Sequence, residues 1–227
     1  MNIDIIIPAF NEEKAIGKVL AEIPKALVRE IIVVSNGSTD NTVAVAENAG
    51  ATVLLEPRRG YGQACLAGMA HIARKTEKPD IVVFLDGDYS DYPEELPLLI
   101  KPIIEEDIDM VIGSRALGDR EQGAMQPQQI FGNWLATTLI RYMYGERFTD
   151  LGPFRAIRYD ALLRLNMQDT NYGWTVEMQV KAAKQKLRCT EVSVNYRVRI
   201  GESKVSGTIK GTLMAGYKIL WTIFKLM

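Results

Sequence analysis

Ile81-Val82-Val83-Phe84-Leu85-Asp86-Gly87-Asp88 sets five apolar residues directly before two carboxylates separated by a glycine. An uninterrupted apolar run of that length reads as a strand buried on both faces, as in a parallel sheet covered by helices. Similar runs lie on either side of it. Ile3 to Ile7, Glu30 to Val34, Thr52 to Leu55 and Met110 to Gly113 read as further strands. Helical patterns separate them: Glu12 to about Glu22 with Asn11 as cap and Pro24 beyond, Thr42 to Ala49 stopped at Gly50, Tyr61 to Lys75, and one opening at Pro93. Strands alternating with helices imply parallel pairing through right-handed crossovers, and so an α/β fold.

The pattern changes after Ser114. Residues 116–129, with Gly118, Gly123, Pro127 and several glutamines, read as a mobile loop. A helix bearing Phe131, Trp134, Leu135, Leu139, Ile140 and Tyr142 follows. Then come a strand at Phe154 to Arg158, a helix at Thr175 to Lys186 and a strand at Glu191 to Arg197. The chain is read as one domain over 1–227, with a nucleotide half (1–115), an acceptor half (116–207) and an amphipathic helix (208–227). Lys210, Lys218 and Lys225 fall within one arc of that last helix, opposite Leu213, Ile219, Leu220, Ile223 and Phe224. It either packs on the domain or lies on a membrane surface with Trp221 at the boundary.

Composition narrows the function. Among 227 residues, 27 basic and 28 acidic side chains leave a net charge of -1, so no overall field recruits nucleic acid. Cys65 and Cys189 lack metal-ligand spacing and read as free buried thiols of a reducing compartment. With His71 as the one histidine, chemistry that needs a His base or a His-rich metal site is disfavoured. Without a signal-peptide pattern or a membrane-spanning run, the expectation is a cytoplasmic protein, with peripheral attachment to the inner face of the cell membrane as an option. A homodimer is left open.

Ligands of open α/β sheets bind beyond the carboxyl ends of the strands. Four polar segments gather there: Pro8-Ala9-Phe10-Asn11-Glu12-Glu13, Ser35-Asn36-Gly37-Ser38-Thr39-Asp40, Arg58-Arg59-Gly60-Tyr61-Gly62 and Asp86-Gly87-Asp88. Asp86 and Asp88 repel one another, and a divalent cation, Mg²⁺ or Mn²⁺, relieves that repulsion while leaving ligand positions for substrate phosphates. A plain Asp-Gly turn is the competing explanation. Asn36-Gly37-Ser38 is either a turn or a close approach for a base or ribose. Arg58, Arg59 and the N–H groups opening the Tyr61 helix can meet a diphosphate. No phosphate-cradling loop ending in Lys-Ser or Lys-Thr and no three-glycine dinucleotide fingerprint is present.

Taken in order, Pro8 to Glu13, Val34 to Thr42, Asp86-Gly87-Asp88 and Gly113-Ser114-Arg115 resemble the family 2 glycosyltransferases. Asp150-Leu151-Gly152-Pro153-Phe154-Arg155 and Arg199-Ile200-Gly201-Glu202-Ser203-Lys204 look most like the polyprenyl-phosphate sugar synthases within that family. The resemblance implies a GT-A (Rossmann-like), mostly parallel central sheet flanked by helices, with a C-terminal acceptor-side extension. It implies an inverting transferase in which Asp86 and Asp88 hold the metal-bound diphosphate. Pro8, Ala9, Phe10, Glu12, Asn36, Gly37, Arg59 and Gly87 would surround a nucleotide sugar of UDP-glucose or GDP-mannose type. Arg155, Arg199 and Lys204 are the candidates for an acceptor phosphate, polyprenyl phosphate in the favoured case. Asp88 and Arg115 belong to the expected catalytic set. Glu177 and Asp150 join it as general-base candidates if the acceptor is a soluble or glycan hydroxyl. Two departures stand out: Ser35 and Asn36 occupy a turn where acidic residues are usual, and the extra C-terminal membrane helices of many relatives are absent. A sugar-phosphate nucleotidyltransferase is the rival of another class, though Pro8 to Glu13 lacks its Gly-rich basic loop. A binding module without turnover is a third reading.

Overall fold

The computed structural model describes residues 1–201 and 209–227. Among these, strands β1 (Ile3–Ala9), β2 (Glu30–Ser35), β3 (Thr52–Leu55), β4 (Ile81–Phe84), β5 (Met110–Ser114), β6 (Arg155–Arg158) and β7 (Cys189–Ser193) form one sheet in the order β3-β2-β1-β4-β6-β5-β7. Only β6 runs antiparallel to its neighbours. The helices are α1 (Ile16–Glu22), α2 (Thr42–Asn48), α3 (Tyr61–Arg74), α4 (Leu96–Glu105), α5 (Pro127–Tyr144), α6 (Tyr159–Leu165), α7 (Trp174–Lys184) and α8 (Ile209–Lys225).

Continuous apolar strands are needed because both faces of the sheet are covered. Along β1, Ile6 joins Val34, Phe84 and Trp174 on the face packed by α3, α5 and α7. Its neighbours Ile5 and Ile7 join Val33, Val83, Leu20 and Leu99 on the other face. The alternation follows the two-residue period of a strand. Each such fully buried side chain contributes about 1.5–3 kcal/mol relative to exposure.

Several boundaries differ from the sequence reading. The first helix begins at Ile16 because Asn11 adopts φ +56 and its side chain accepts from Thr39 N at 2.8 Å instead of capping. The loop read over 116–129 ends at Gln126, which forms a capping box with Gln129 while Pro127 occupies the first turn of α5. The final strand ends at Ser193, after which Tyr196 bridges to Asp91 and to Arg120. Helix α6 had no counterpart in the reading.

The last helix is two-sided in an unexpected sense. Ile223 is fully buried, Thr222 nearly so, and Lys218 pairs with Asp169 at 2.9 Å. Leu213, Met214, Tyr217, Trp221 and Phe224 are exposed, so much of the apolar side faces out. No helix among the described residues is long and apolar enough to cross a membrane.

Candidate active site

The strand order reverses between β1 and β4, which both leave their carboxyl ends at one edge. Such a switch point opens a crevice. A cavity of about 410 Å³ lies there. Pro8, Ala9, Phe10 and Glu12 reach it from β1, Asn36 from β2, Arg59 from the β3–α3 loop, and Asp86, Gly87 and Asp88 from β4. Tyr61, Asn171, Tyr172 and Arg199 complete the walls. Most of the residues assigned to the nucleotide sugar therefore meet in one place.

The loops are laced together by their own side chains. Asn11 N donates to Ser38 Oγ at 3.1 Å, and Glu12 N donates to Thr42 Oγ1 at 2.8 Å. Asp40 accepts from Thr42 N and Glu13 N, so much of the Ser38-to-Asp40 run joins the two loops. Asn36 is committed in the same way. Its amide donates to the carbonyls of Glu56 at 3.1 Å and Arg58 at 2.6 Å, and its oxygen accepts from Gly60 N at 2.7 Å. That use accounts for most of its hydrogen-bonding capacity. The side chain fixes the arginine loop and does not present a free amide edge to a base. Gly37, at φ +74, leaves the Arg59 guanidinium room to lie over the Phe10 ring, 3.8 Å from its centroid.

Glu56, which the sequence reading passed over, anchors this corner. It pairs with Arg58 at 2.9 Å and accepts from Gln63 at 3.1 Å. The hydrogen bonds from Arg58 hold its carboxyl down at about 2, against 4.5 ordinarily. A depressed pKa contributes stability above the unfolded value and loses it as pH falls toward the folded one. The unfolding-temperature gap between wild type and Glu56→Gln is therefore expected to shrink steadily from about pH 5 to about pH 3. A gap independent of pH would show that Glu56 contributes nothing through its charge.

Asp86 and Asp88 form the electrostatic centre. Burial and then the charge of Asp88 push the Asp86 carboxyl up to about 6, against the opposing hydrogen bond from Tyr61 OH at 2.9 Å. Asp88 Oδ1 accepts from Ser90 N at 2.9 Å and Ser90 Oγ at 2.5 Å, and Oδ2 meets Arg199 Nη1 at 3.1 Å. Burial and the same two negative charges raise Asp91 as well. No cluster of three His, Cys, Asp or Glu side chains suited to a metal ion occurs among the described residues. Two hard carboxylates at a cavity wall fit Mg²⁺ or Mn²⁺ when a diphosphate provides further oxygens. A dedicated all-protein metal cage does not fit.

The acceptor-side assignments are partly corrected. Arg155 is fully buried and donates to the carbonyls of Leu151 and Gly152 and to Thr175 O at 3.1 Å. It ties a loop to α7 and is not available to a phosphate. Asp150 receives a two-pronged ion pair from Arg115, with both contacts at 2.7 Å, and Arg115 N at 2.8 Å. Glu177 is 4% exposed and accepts from Gln168 N, Asp169 N at 2.7 Å and Lys181 Nζ at 2.7 Å. It holds the turn that carries Asn171 and Tyr172 into the cavity. Neither carboxylate has the freedom of a general base. Glu177→Gln is accordingly expected to lower stability by about 1–3 kcal/mol while changing kcat less than about tenfold. A loss of kcat beyond about 10²-fold in folded protein would restore it as a base. Lys204 lies outside the described residues. Arg199 stands in the cavity as expected, and a second space of about 330 Å³ runs from Asp86 and Asp88 past Arg115 and Arg199 to Ala215, Gly216 and Ile219 of α8.

Comparison with known proteins identifies the family and the fold. The family model described as glycosyl transferase family 2 matches residues 4–165. An uncharacterized glycosyltransferase of Mycobacterium tuberculosis is 35% identical over 216 residues, 94% of each chain. The undecaprenyl-phosphate mannosyltransferase of Micrococcus luteus is 30% identical over 223 residues, 93% of this chain and 90% of the other. Among solved structures, the glucosyl-3-phosphoglycerate synthase of Mycobacterium tuberculosis, in complex with Mn²⁺, UDP and glucosyl-3-phosphoglycerate, superimposes with a TM-score of 0.77 at 23% identity. That match covers 99% of this chain and 79% of the other, and it shows a shared GT-A fold.

Proposed function

The chain belongs to glycosyl transferase family 2, and on that premise we propose that it transfers a hexosyl group from a UDP-glucose or GDP-mannose type donor to a phosphate-bearing acceptor. The observation that carries the reading is the placement of Asp86 and Asp88, with Arg199 beside them, at the junction of the two cavities. Mg²⁺ or Mn²⁺ held by the two carboxylates would supply charge neutralisation of the leaving diphosphate. The chain's own residues do the rest. Phe10 and Arg59 form a flat cationic wall for the nucleoside, Asn36 and Glu56 keep that wall in place, and Asn171 and Tyr172 close it from the other half. Attack at the anomeric carbon opposite the diphosphate inverts its configuration.

The acceptor's charge follows from what lines the second cavity. Asp86 and Asp88 are its only carboxylates among the described residues, and Arg199 supplies a cation while Arg115 is paired with Asp150. An ionised phosphate oxygen needs no base to remove a proton. The undecaprenyl-phosphate mannosyltransferase is named for a phosphate acceptor, and the glucosyl-3-phosphoglycerate synthase binds phosphoglyceric acid, an acceptor that carries a phosphate. A lipid acceptor is supported by the exposed apolar residues of α8 together with Ile130, Phe131 and Trp134 of α5, beside which the cavity opens. That arrangement would seat the helix pair on a membrane surface. A water-soluble phosphorylated acceptor, taking the sugar on a hydroxyl, is the reading better supported by the comparisons, through the likeness to glucosyl-3-phosphoglycerate synthase over 99% of this chain and 79% of the other.

A thermal-shift panel with UDP- and GDP-sugars and Mn²⁺ tests the donor. The right donor at about 100 times its Kd should stabilise by about 2.7 kcal/mol and raise Tm by several degrees. No response to any nucleotide sugar with metal would sink the assignment. Product lability then separates the acceptors. A sugar on phosphate is released by mild acid, whereas a glycoside on a hydroxyl survives. Turnover of phosphoglycerate without detergent would establish the soluble reading over the lipid one.

A further inference from the structure

Arg199 occupies the position that decides whether Asp88 can meet a cation. Its Nη1 lies 3.1 Å from Asp88 Oδ2 and its Nη2 lies 3.1 Å from Glu12 Oε1, so one guanidinium bridges the end of β4 and the loop after β1. Asp88 Oδ1 is already taken by Ser90 through both N–H and hydroxyl. The oxygen left to Asp88 is therefore the one Arg199 holds. The segment carrying Arg199 is itself anchored. Ile200 N donates to Asp88 O at 3.0 Å, and Arg197 is clamped between the Tyr89 and Tyr92 rings, at 3.4 Å and 4.2 Å, with an ion pair to Glu22 at 2.5 Å. Arg199 also lines both cavities.

We infer that Arg199 is a resident counter-ion that keeps the carboxylate pair closed to a free divalent cation until a diphosphate enters. The inference rests on the metal and diphosphate reading of Asp86 and Asp88. A cation arriving alone must displace a charge-assisted hydrogen bond and approach a positive charge about 3 Å away. A diphosphate removes that obstacle by offering the guanidinium a second anionic partner, which frees Asp88 Oδ2. Metal and nucleotide then bind with positive coupling, and each raises the affinity of the other by the same factor. The released guanidinium stays at the junction, where it faces substrate phosphate.

The sign of one substitution tests this. Mn²⁺ affinity is measured by calorimetry or by the paramagnetic resonance signal of free Mn²⁺, with and without UDP, in wild type, Arg199→Gln, Arg199→Lys and Asp88→Asn. Arg199→Gln is expected to bind Mn²⁺ about tenfold more tightly than wild type without nucleotide, and to show a smaller gain on adding UDP. Arg199→Lys, which keeps the charge but cannot bridge both carboxylates, should fall between the two. If Arg199→Gln, folded by its unfolding temperature, binds Mn²⁺ no more tightly than wild type without UDP, the counter-ion role is wrong. Asp88→Asn separates that failure from failure of the site: should it bind Mn²⁺ and UDP as wild type does, the carboxylate assignment itself falls.

Discussion

Asp88→Asn is expected to lower the rate of sugar transfer by about 10³-fold or more while the protein stays folded. The substitution preserves volume, and the amide oxygen can still accept from Ser90 N and Oγ, so the turn after β4 keeps its shape. What disappears is one of two negative charges in a buried setting, where electrostatic interactions are least screened. Contacts to the nucleoside should change little, because Phe10 and Arg59, proposed as its wall, lie on other loops. Rate measurements under saturating donor, paired with thermal unfolding, check the expectation. A folded Asp88→Asn with wild-type turnover would remove this carboxylate from the chemistry.

A second large effect is expected at Asp150, of a different kind. Asp150→Ala should cost about 3–5 kcal/mol and lower Tm by about 10 °C, because it strands the Arg115 guanidinium in a buried position. Asp150 is 1% exposed and spends both oxygens on Arg115, while its own N–H and carbonyl are held by Glu191 and Gln179. The double change Asp150→Ala with Arg115→Met should recover part of the loss, since removing both partners leaves no orphaned charge. The recovery is read from denaturant midpoints. If the single variant unfolds like wild type yet loses turnover, Asp150 acts in the reaction and not in the frame.

The contrast between these two aspartates shows what a linear reading could reach. Asp86 and Asp88 are legible because a buried strand that ends in two carboxylates sets like charges together, a repulsion that a cation relieves. Asp150 and Glu177 looked equally available, as carboxylates in the half that should hold the acceptor. Arg115 is 35 residues from Asp150, and Glu177 accepts from N–H groups 8 and 9 residues back, which only the folding of the intervening turn brings to it. Arg155 is a similar case. It sits at the start of β6, opposite Phe84, where its guanidinium meets carbonyls of its own loop and that of Thr175 in α7. Tyr61 stands in one of the four segments expected at the ligand edge, without a role of its own there, and its hydroxyl orients Asp86. Its place at the first turn of the helix after β3 was the available signal, because that turn opens at the same sheet edge.

The sequence alone determined the α/β alternation, the edge at which the candidate site forms and the carboxylate pair in it, because strand burial, turn chemistry and like-charge repulsion are local properties. Only the tertiary structure decided that β6 inserts antiparallel between β4 and β5, that the tail helix turns apolar residues outward, and which charged side chains are free to meet a substrate. A charge is available or neutralised according to what lies within about 4 Å of it in space, and spacing along the chain does not specify that distance.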